Sequence, residues 1–415
     1  MTSPSWQEMT RAFGRIGLLS FGGPAAQIAL MHRELVEARS WLTEETYLRA
    51  LGLCMLLPGP EAMQLATYAG WRLRGIPGGI LAGALFVLPG ACIIAALVAL
   101  YLAFGQMPLI QSAFLGVKAA VIAIVFQALT RLARKSLKTA SAWIIACLAF
   151  AAIFTLDLPF PLIVALAALW GYAKSTEEAE PPPPPTKATP VSTALVWLGL
   201  WLAPLALLSA MDLDFLAEIG WFFARLAVVT FGGAYAVLGY MAQTVVQDHG
   251  WISATQMIDA LGLAETTPGP LILVTQFVAM LSGYAVAGPT LALAAGLVAL
   301  WATFIPCFLW IFLAGPYLDH IAARPRLSSA LGAITAAVVG VILNLALWFA
   351  LHVLFAEVGR HSYGPLTLSI PDPMSLSSVA LILTALAFWL AIVRKNSIPR
   401  LLAWLALAGV ATLAV

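Results

Sequence analysis

The sequence predicts an all-α polytopic membrane protein made of two homologous halves, an inverted-topology repeat with broken, re-entrant helices. Three observations carry that prediction. Of 415 residues, 62% are hydrophobic and only 10% are charged, with a mean hydropathy of +0.95, whereas a soluble domain carries about a quarter charged residues. Apolar runs of nearly membrane-crossing length recur along the whole chain. One numerical offset also lays one half on the other.

That offset is 210. It pairs Phe13 with Phe223, Arg15 with Arg225, Phe21-Gly22-Gly23 with Phe231-Gly232-Gly233, and Met31 with Met241. It also pairs Trp41 with Trp251, Leu51-Gly52-Leu53 with Leu261-Gly262-Leu263, and Pro58-Gly59-Pro60 with Pro268-Gly269-Pro270. After a short insertion the offset becomes 217, pairing Pro89 with Pro306, Ala119-Ala120-Val121 with Ala336-Ala337-Val338, and Gln127 with Asn344.

Taken in order, the chain opens without a charged start, apolar core and cleavage site, so no signal peptide is expected. The first apolar stretch is broken at Phe21-Gly22-Gly23-Pro24, and His32 to Glu37 reads as an amphipathic surface helix. A second break follows at Pro58-Gly59-Pro60. Apolar runs at 76–104, 109–129, 140–156 and 160–172 approach the roughly 20 residues needed to cross a bilayer, some falling short. Acidic residues and five consecutive prolines then mark an extended, solvated connector. A run at 193–211 has no partner in the first half, while runs at 289–318, 327–354, 377–393 and 399–415 match the earlier four. The expected layout is an N-terminal transporter repeat at 1–173, a Pro-rich linker at 174–192, a connecting transmembrane helix at 193–217 and a C-terminal repeat at 218–415.

Charge argues that the copies face opposite ways. Arg33, Arg39, Arg49, Arg72 and Arg74 belong in the cytoplasm under the positive-inside rule, yet their 210-shifted partners are Gln243, His249, Asp259, Ser282 and Tyr284. Conversely, Arg324 and Arg326 fall where the matching first-copy turn, 104–106, has no charge. With the linker and the Arg131, Arg134, Lys135, Lys138 loop inside, each pair of Gly/Pro-broken runs must enter and leave on one side, as a re-entrant hairpin. The unpartnered run inverts the second copy.

Irregular backbone at membrane depth is tolerated only inside protein or against a watery cavity, and paired broken helices build the central site of many secondary transporters. Their exposed N-termini favour anions. Glu61, directly after Pro60, is a candidate for proton coupling or for a helix-terminal charge. Lys118, deep in an apolar run, reads as counter-charge to an anion or as the partner of Glu61 or Glu265. Arg15 and Arg225 recur one helical stretch before each Phe-Gly-Gly, where they add positive potential or snorkel to the interface. Ser20, Thr230, Thr266 and Thr267 offer hydroxyls beside the breaks, or bond their own helix backbone.

Phe21-Gly22-Gly23-Pro24 with Gln27 and Met31-His32-Arg33-Glu34, followed by Leu57-Pro58-Gly59-Pro60-Glu61-Ala62 with Gln64-Leu65-Ala66-Thr67-Tyr68, resembles the chromate transporter family in its long, two-domain form. Phe231-Gly232-Gly233 and Thr267-Pro268-Gly269-Pro270 with Gln276 are similar to that family's C-terminal domain. The resemblance spans nearly the whole chain. It implies chromate efflux across the bacterial inner membrane, driven by an ion or potential gradient, with sulfate linked to some relatives. It carries over the motif positions Phe21, Gly22, Gly23, Pro24, Gln27, Pro58, Gly59, Pro60, Glu61 and Gln64, with Phe231, Gly232, Gly233, Pro268, Gly269 and Pro270 in the second copy. Ala234 stands for Pro24 and Leu271 for Glu61, so the two sides of a shared site would do different work.

Other classes find little support. A net charge of +2 and dispersed Lys and Arg exclude a nucleic-acid surface. Cys54, Cys92, Cys147 and Cys307 stand singly and read as packing residues, with no metal site or cofactor indicated. The five histidines are scattered, and HExxH, GxSxG and Walker A patterns are absent, which argues against an enzyme and against ATP-driven pumping by this chain. The expected partners are the lipid bilayer and a chromate or sulfate anion, with a homodimer left open. A sulfate or other oxyanion carrier, or an anion channel, is the alternative function.

Overall fold

The structure is a computed structural model describing residues 4–21, 23–175, 191–231, 234–317, 324–364 and 366–414. Gly22, Gly232, Gly233 and linker residues 176–190 lie outside the described residues.

Helix α1 (Trp6–Leu19) begins with a capping box in which Ser5 accepts the Glu8 N–H while the Glu8 carboxylate accepts the Ser5 N–H at 2.7 Å. It buries Met9, Ala12, Phe13 and Ile16, an i, i+3, i+4, i+7 stripe. Then come α2 (Gly23–His32), a π-helical turn (Arg33–Glu37), α3 (Glu44–Leu56) and α4 (Glu61–Phe104). The second copy repeats this order in α9 (Asp214–Val229), α10 (Ala234–Met241), another π-helical turn (Ala242–Asp248), α11 (Ala254–Thr266) and α12 (Val274–Ala314, after a 3-10 turn at Leu271–Leu273). Both long helices are broken by nearly the same dihedrals: φ −143, ψ 30 then φ 64, ψ −160 at Arg74-Gly75, and φ −149, ψ 33 then φ 74, ψ −161 at Ala287-Gly288.

The other helices are α5 (Pro108–Ser136), α6 (Ala140–Leu156), α7 (Phe160–Lys174), α8 (Val191–Ala210), α13 (Pro325–Leu354), α14 (Ser378–Phe388) and α15 (Ile398–Ala411). Among the described residues, five helices are long and apolar enough to cross a membrane: α4, α5, α8, α12 with its flanking turns, and α13. Together with the shorter apolar helices α6, α7, α14 and α15, they make a multi-pass, helical membrane protein.

Among the described residues, one segment forms a strand pair in an otherwise helical chain. Strands β1 (Val358–Tyr363) and β2 (Leu366–Pro371) pair antiparallel, Val358 opposite Pro371 and Tyr363 opposite Leu366. Leu366, Leu368 and Ile370 alternate with polar residues, the period-2 pattern of a strand.

The chain divides into two compact units, and each takes segments from both sequence halves. One comprises Met1–Val98, Thr176–Ala234 and Thr267–Ser328. Within it, α8 is tied to α12 by reciprocal indole bonds, Trp201 to the Ala302 carbonyl and Trp301 to the Leu200 carbonyl, each 3.0 Å. The other comprises Ala99–Ser175, Tyr235–Thr266 and Ser329–Val415. There α5 and α15 pack backbone to backbone: a Cβ on Gly116 would run into the Leu405 carbonyl, and one on Gly409 into the Ser112 carbonyl.

Candidate functional site

The first unit contains both glycine–proline turns. Gly59 has φ +120 and Gly269 has φ +93, backbone that side-chain-bearing residues rarely adopt. Proline on either side removes an amide donor and lets a new helix start, at Glu61 in the first copy and at Leu271 in the second.

Each turn is bonded to the broken helix end of the other copy. The Gly59 N–H donates to the Thr230 carbonyl at 2.8 Å, and the Gly269 N–H donates to the Ser20 carbonyl at 3.0 Å. Both pairs keep the 210 offset. The contact is therefore isologous, residue i meeting j while j's counterpart meets i's, as across a two-fold axis. It also caps the C-terminal ends of α1 and α9 by bringing a backbone donor to the Ser20 and Thr230 carbonyls. The Ser20 and Thr230 hydroxyls turn back to Ile16 and Leu226 carbonyls, 2.6 Å each, and Thr266 likewise bonds the Leu263 carbonyl. Of the two roles open to these hydroxyls, helix bonding is the one the structure displays.

Three glutamines break the symmetry. Gln27 Nε2 donates to the Gly269 carbonyl at 2.7 Å and to the Ser20 carbonyl at 3.2 Å. Gln64 Nε2 donates to the Pro58 carbonyl at 2.6 Å, and Gln276 Nε2 to the Ala91 carbonyl at 3.1 Å. Their 210-offset positions hold Val237, Val274 and Ala66. The turns of both copies are thus capped by glutamines of the first. Each amide oxygen, and the Thr303 hydroxyl, is buried with no protein partner among the described residues. Such atoms are places where water or the donor group of a guest completes the bonding.

Exposure is also unequal. Pro58, Pro60 and Glu61 are half-buried, whereas Thr267, Pro268, Gly269 and Pro270 are buried. Around the Phe-Gly-Gly breaks, Gly23, Pro24 and Phe231 are half-buried and Phe21 is exposed. Gly90 and Cys307, related by the 217 offset, close on the turns: a Cβ on Gly90 would strike the Pro268 carbonyl, and one on Gly59 would lie 3.2 Å from Cys307 Sγ. The register that pairs Pro89 with Pro306 points to both residues one step later, a signal that sequence reading passed over.

The three cationic candidates each meet a protein partner. Arg15 is largely exposed and reaches Glu34 at 3.5 Å, and Glu34 is buried and also bonded by Arg39. Arg225 is exposed and donates to the Trp221 carbonyl at 3.2 Å. Lys118 belongs to the second unit, where its Nζ lies 3.2 Å from Asp259 Oδ1 and the Tyr101 hydroxyl donates to Asp259 Oδ2 at 2.9 Å. Neither Glu61 nor Glu265 is its partner, and the ammonium is not an uncommitted counter-charge. The pairing with Asp259 was missed because Asp259 aligns with Arg49, which made it look like a loop charge. That unit also holds a cavity of about 50 Å³ lined by Asp157, Gln243, Asn344, Trp348 and Arg360, across which Arg360 of β1 is paired with Asp157 at the end of α6.

The chromate transporter family profile matches residues 7–172 and 217–413. The chain belongs to the chromate transporter family. It is 34% identical over 346 residues to the chromate transport protein of Cupriavidus metallidurans, covering 82% of each chain. It is 34% identical over 348 residues to the chromate transport protein of Pseudomonas aeruginosa, covering 81% of this chain and 79% of that one. A probable chromate transport protein of Synechococcus elongatus is also 34% identical, over 343 residues, covering 81% and 83%. No solved structure matches. For a chromate transporter family member, the two profile matches fall on either side of the proline-rich segment, and each contains one of the two glycine–proline turns.

Proposed function

We propose that this chain is a secondary active transporter that exports chromate across the bacterial inner membrane and so confers chromate resistance. Family membership and the names of the three relatives support chromate as the anion. The observation that carries the transport reading is the reciprocal bonding of two glycine–proline turns, each from a different copy, inside a membrane-spanning protein. Buried irregular backbone of this kind builds midplane sites in alternating-access carriers.

In this reading the copies are inverted, as their arginine distribution supports, the linker is cytoplasmic, and rocking of the copies exposes the site alternately. The oxyanion is met by helix N-termini after the two Phe-Gly-Gly breaks and after Pro60, with Gln27, Gln64, Gln276 and Thr267 shaping the site. Glu61, half-buried in the first turn of α4, sets the local charge beside a helix end that favours anions. Arg15 and Arg225 supply positive potential from the surface.

The test is uptake of labelled chromate into inside-out vesicles, with and without excess sulfate and an uncoupler, comparing the wild type with Gly59→Ala and Gly269→Ala. Uptake that needs the gradient and is lost in both variants supports an oxyanion exporter with a two-sided site. Uptake indifferent to the uncoupler indicates a channel, and sulfate uptake that outcompetes chromate indicates a sulfate carrier. No chromate uptake by correctly inserted wild type overturns the reading.

A further inference from the structure

Helix α11 carries two acids, Asp259 and Glu265, each only 3% exposed. At the 210 offset the first copy has Arg49 and Met55 in these places, so the acids belong to one copy only. A buried carboxyl is costly unless something compensates it, and the two are compensated in different ways. Asp259 has the ammonium of Lys118 and the hydroxyl of Tyr101. Glu265 has the hydroxyl of Tyr235, which donates to its Oε1 at 2.5 Å, and among the described residues no cation lies within ion-pair distance of it. The charged group whose field reaches this pair is Arg131 on α5. From the other elements of this unit, the Tyr235 ring meets an apolar cluster that includes Ala119, Ala120, Leu383 and Leu402.

We propose that Glu265, held by Tyr235, is the residue that takes up and releases the proton coupled to anion movement. The inference rests on the reading of the chain as a gradient-driven carrier. A phenol hydroxyl can serve both states of the acid. Toward the carboxylate, the Tyr235 O–H donates; once an Oε atom has taken a proton from hydronium, leaving water, the new carboxyl O–H can donate and the phenol oxygen accept. One proton enters, one leaves, and the side chain alternates between charge −1 and zero without losing its partner. An ion-paired acid such as Asp259 lacks this freedom, because protonating it strands the Lys118 charge. The position in the chain also suits coupling, since Glu265 stands three residues before Pro268, the start of the second glycine–proline turn.

The test uses the full-length protein in liposomes with two readouts. The first needs no substrate: infrared difference spectra between low and high pH, in which the carbonyl stretch of a buried protonated carboxyl should appear in wild type and in Asp259→Asn and vanish in Glu265→Gln. The second compares chromate uptake driven by a pH gradient with chromate-for-chromate exchange at equal pH. Glu265→Gln should reduce gradient-driven uptake to the level of empty liposomes and retain exchange. Tyr235→Phe should keep both while moving the pH midpoint of uptake upward by about one unit, the worth of one hydrogen bond to a charged group. Gradient-driven uptake by Glu265→Gln at the wild-type rate overturns the proposal, as does an infrared band that survives this substitution. Should Glu265→Gln fail to insert, an unmoved midpoint in Tyr235→Phe overturns it instead. Wild type that exchanges no chromate but shows the Glu265 band would refute the substrate reading and leave the proton site standing.

Discussion

Gly59→Ala should destabilise the protein by about 2–5 kcal/mol, from two separable causes. The first is backbone strain: with φ at +120, an L side chain costs about 1–2 kcal/mol. The second is a collision. The new methyl would lie 2.8 Å from Gln64 Nε2, and displacing that amide leaves the Pro58 carbonyl without its 2.6 Å bond. Leaving that half-buried carbonyl unsatisfied costs about 1–3 kcal/mol. Gly23→Ala isolates the first cause, because Gly23 has φ +80 and a Cβ there would meet nothing within 4 Å. It should cost only about 1–2 kcal/mol. The assay is denaturation of purified protein in mixed micelles for Gly59→Ala, Gly23→Ala, Gln64→Ala and the Gly59→Ala/Gln64→Ala pair. The pair should cost less than the sum of its singles, since the amide bond can be lost only once. Equal costs for Gly59→Ala and Gly23→Ala, or strict additivity in the pair, would refute the reasoning.

Three further outcomes follow from the same structure. Lys118→Met should cost about 3–5 kcal/mol by stranding Asp259, and Lys118→Met with Asp259→Leu should recover most of it, read from thermal midpoints. His32 bonds Glu44 at 2.6 Å and Glu37 at 3.1 Å with the Tyr47 ring edge-on at 5.1 Å, and the Glu44 bond above all raises its pKa. Its contribution to stability is therefore complete below the ordinary histidine value of about 6.5 and is lost as pH climbs through the raised value, so a pH series of thermal midpoints should fall there in wild type and flatten in His32→Ala. Gly116→Ala should push α5 and α15 apart and cost about 1–3 kcal/mol, whereas Gly14→Ala, with nothing within 4 Å, should be neutral or mildly stabilising in the same melt.

Much of the local architecture was legible in the residues. Gly-Gly-Pro and Pro-Gly-Pro stop and restart helices for covalent reasons, so the breaks before α2 and α4 could be read directly, and the 210 offset carried them to α10 and to the 3-10 turn before α12. Hydropathy found the long helices because each needs a continuous apolar surface. What stayed hidden was pairing across distance. The bonds from Gly59 to Thr230 and from Gly269 to Ser20 use backbone atoms, which carry no residue signature. The Lys118–Asp259 pair joins segments far apart in the chain, and spacing alone nominated Glu61 or Glu265 just as well. The β1–β2 hairpin had a signal in its alternating leucines, but a strong helical background masked it.

The way the compact units draw on both copies sets a timetable for synthesis. Residues 1–98 belong with Thr267–Ser328, so the ribosome must add about 170 residues before that partner segment exists. At roughly 5–20 residues per second, this is a wait on the order of 10–30 s. For most of that interval the first glycine–proline turn has no Thr230 carbonyl to receive the Gly59 amide, and the Ser20 carbonyl waits beyond its end for Gly269. The nascent first half is thus a client for the insertion machinery rather than a finished domain. A gene split within the linker would yield two polypeptides, each lacking part of both units, that could mature only in each other's company.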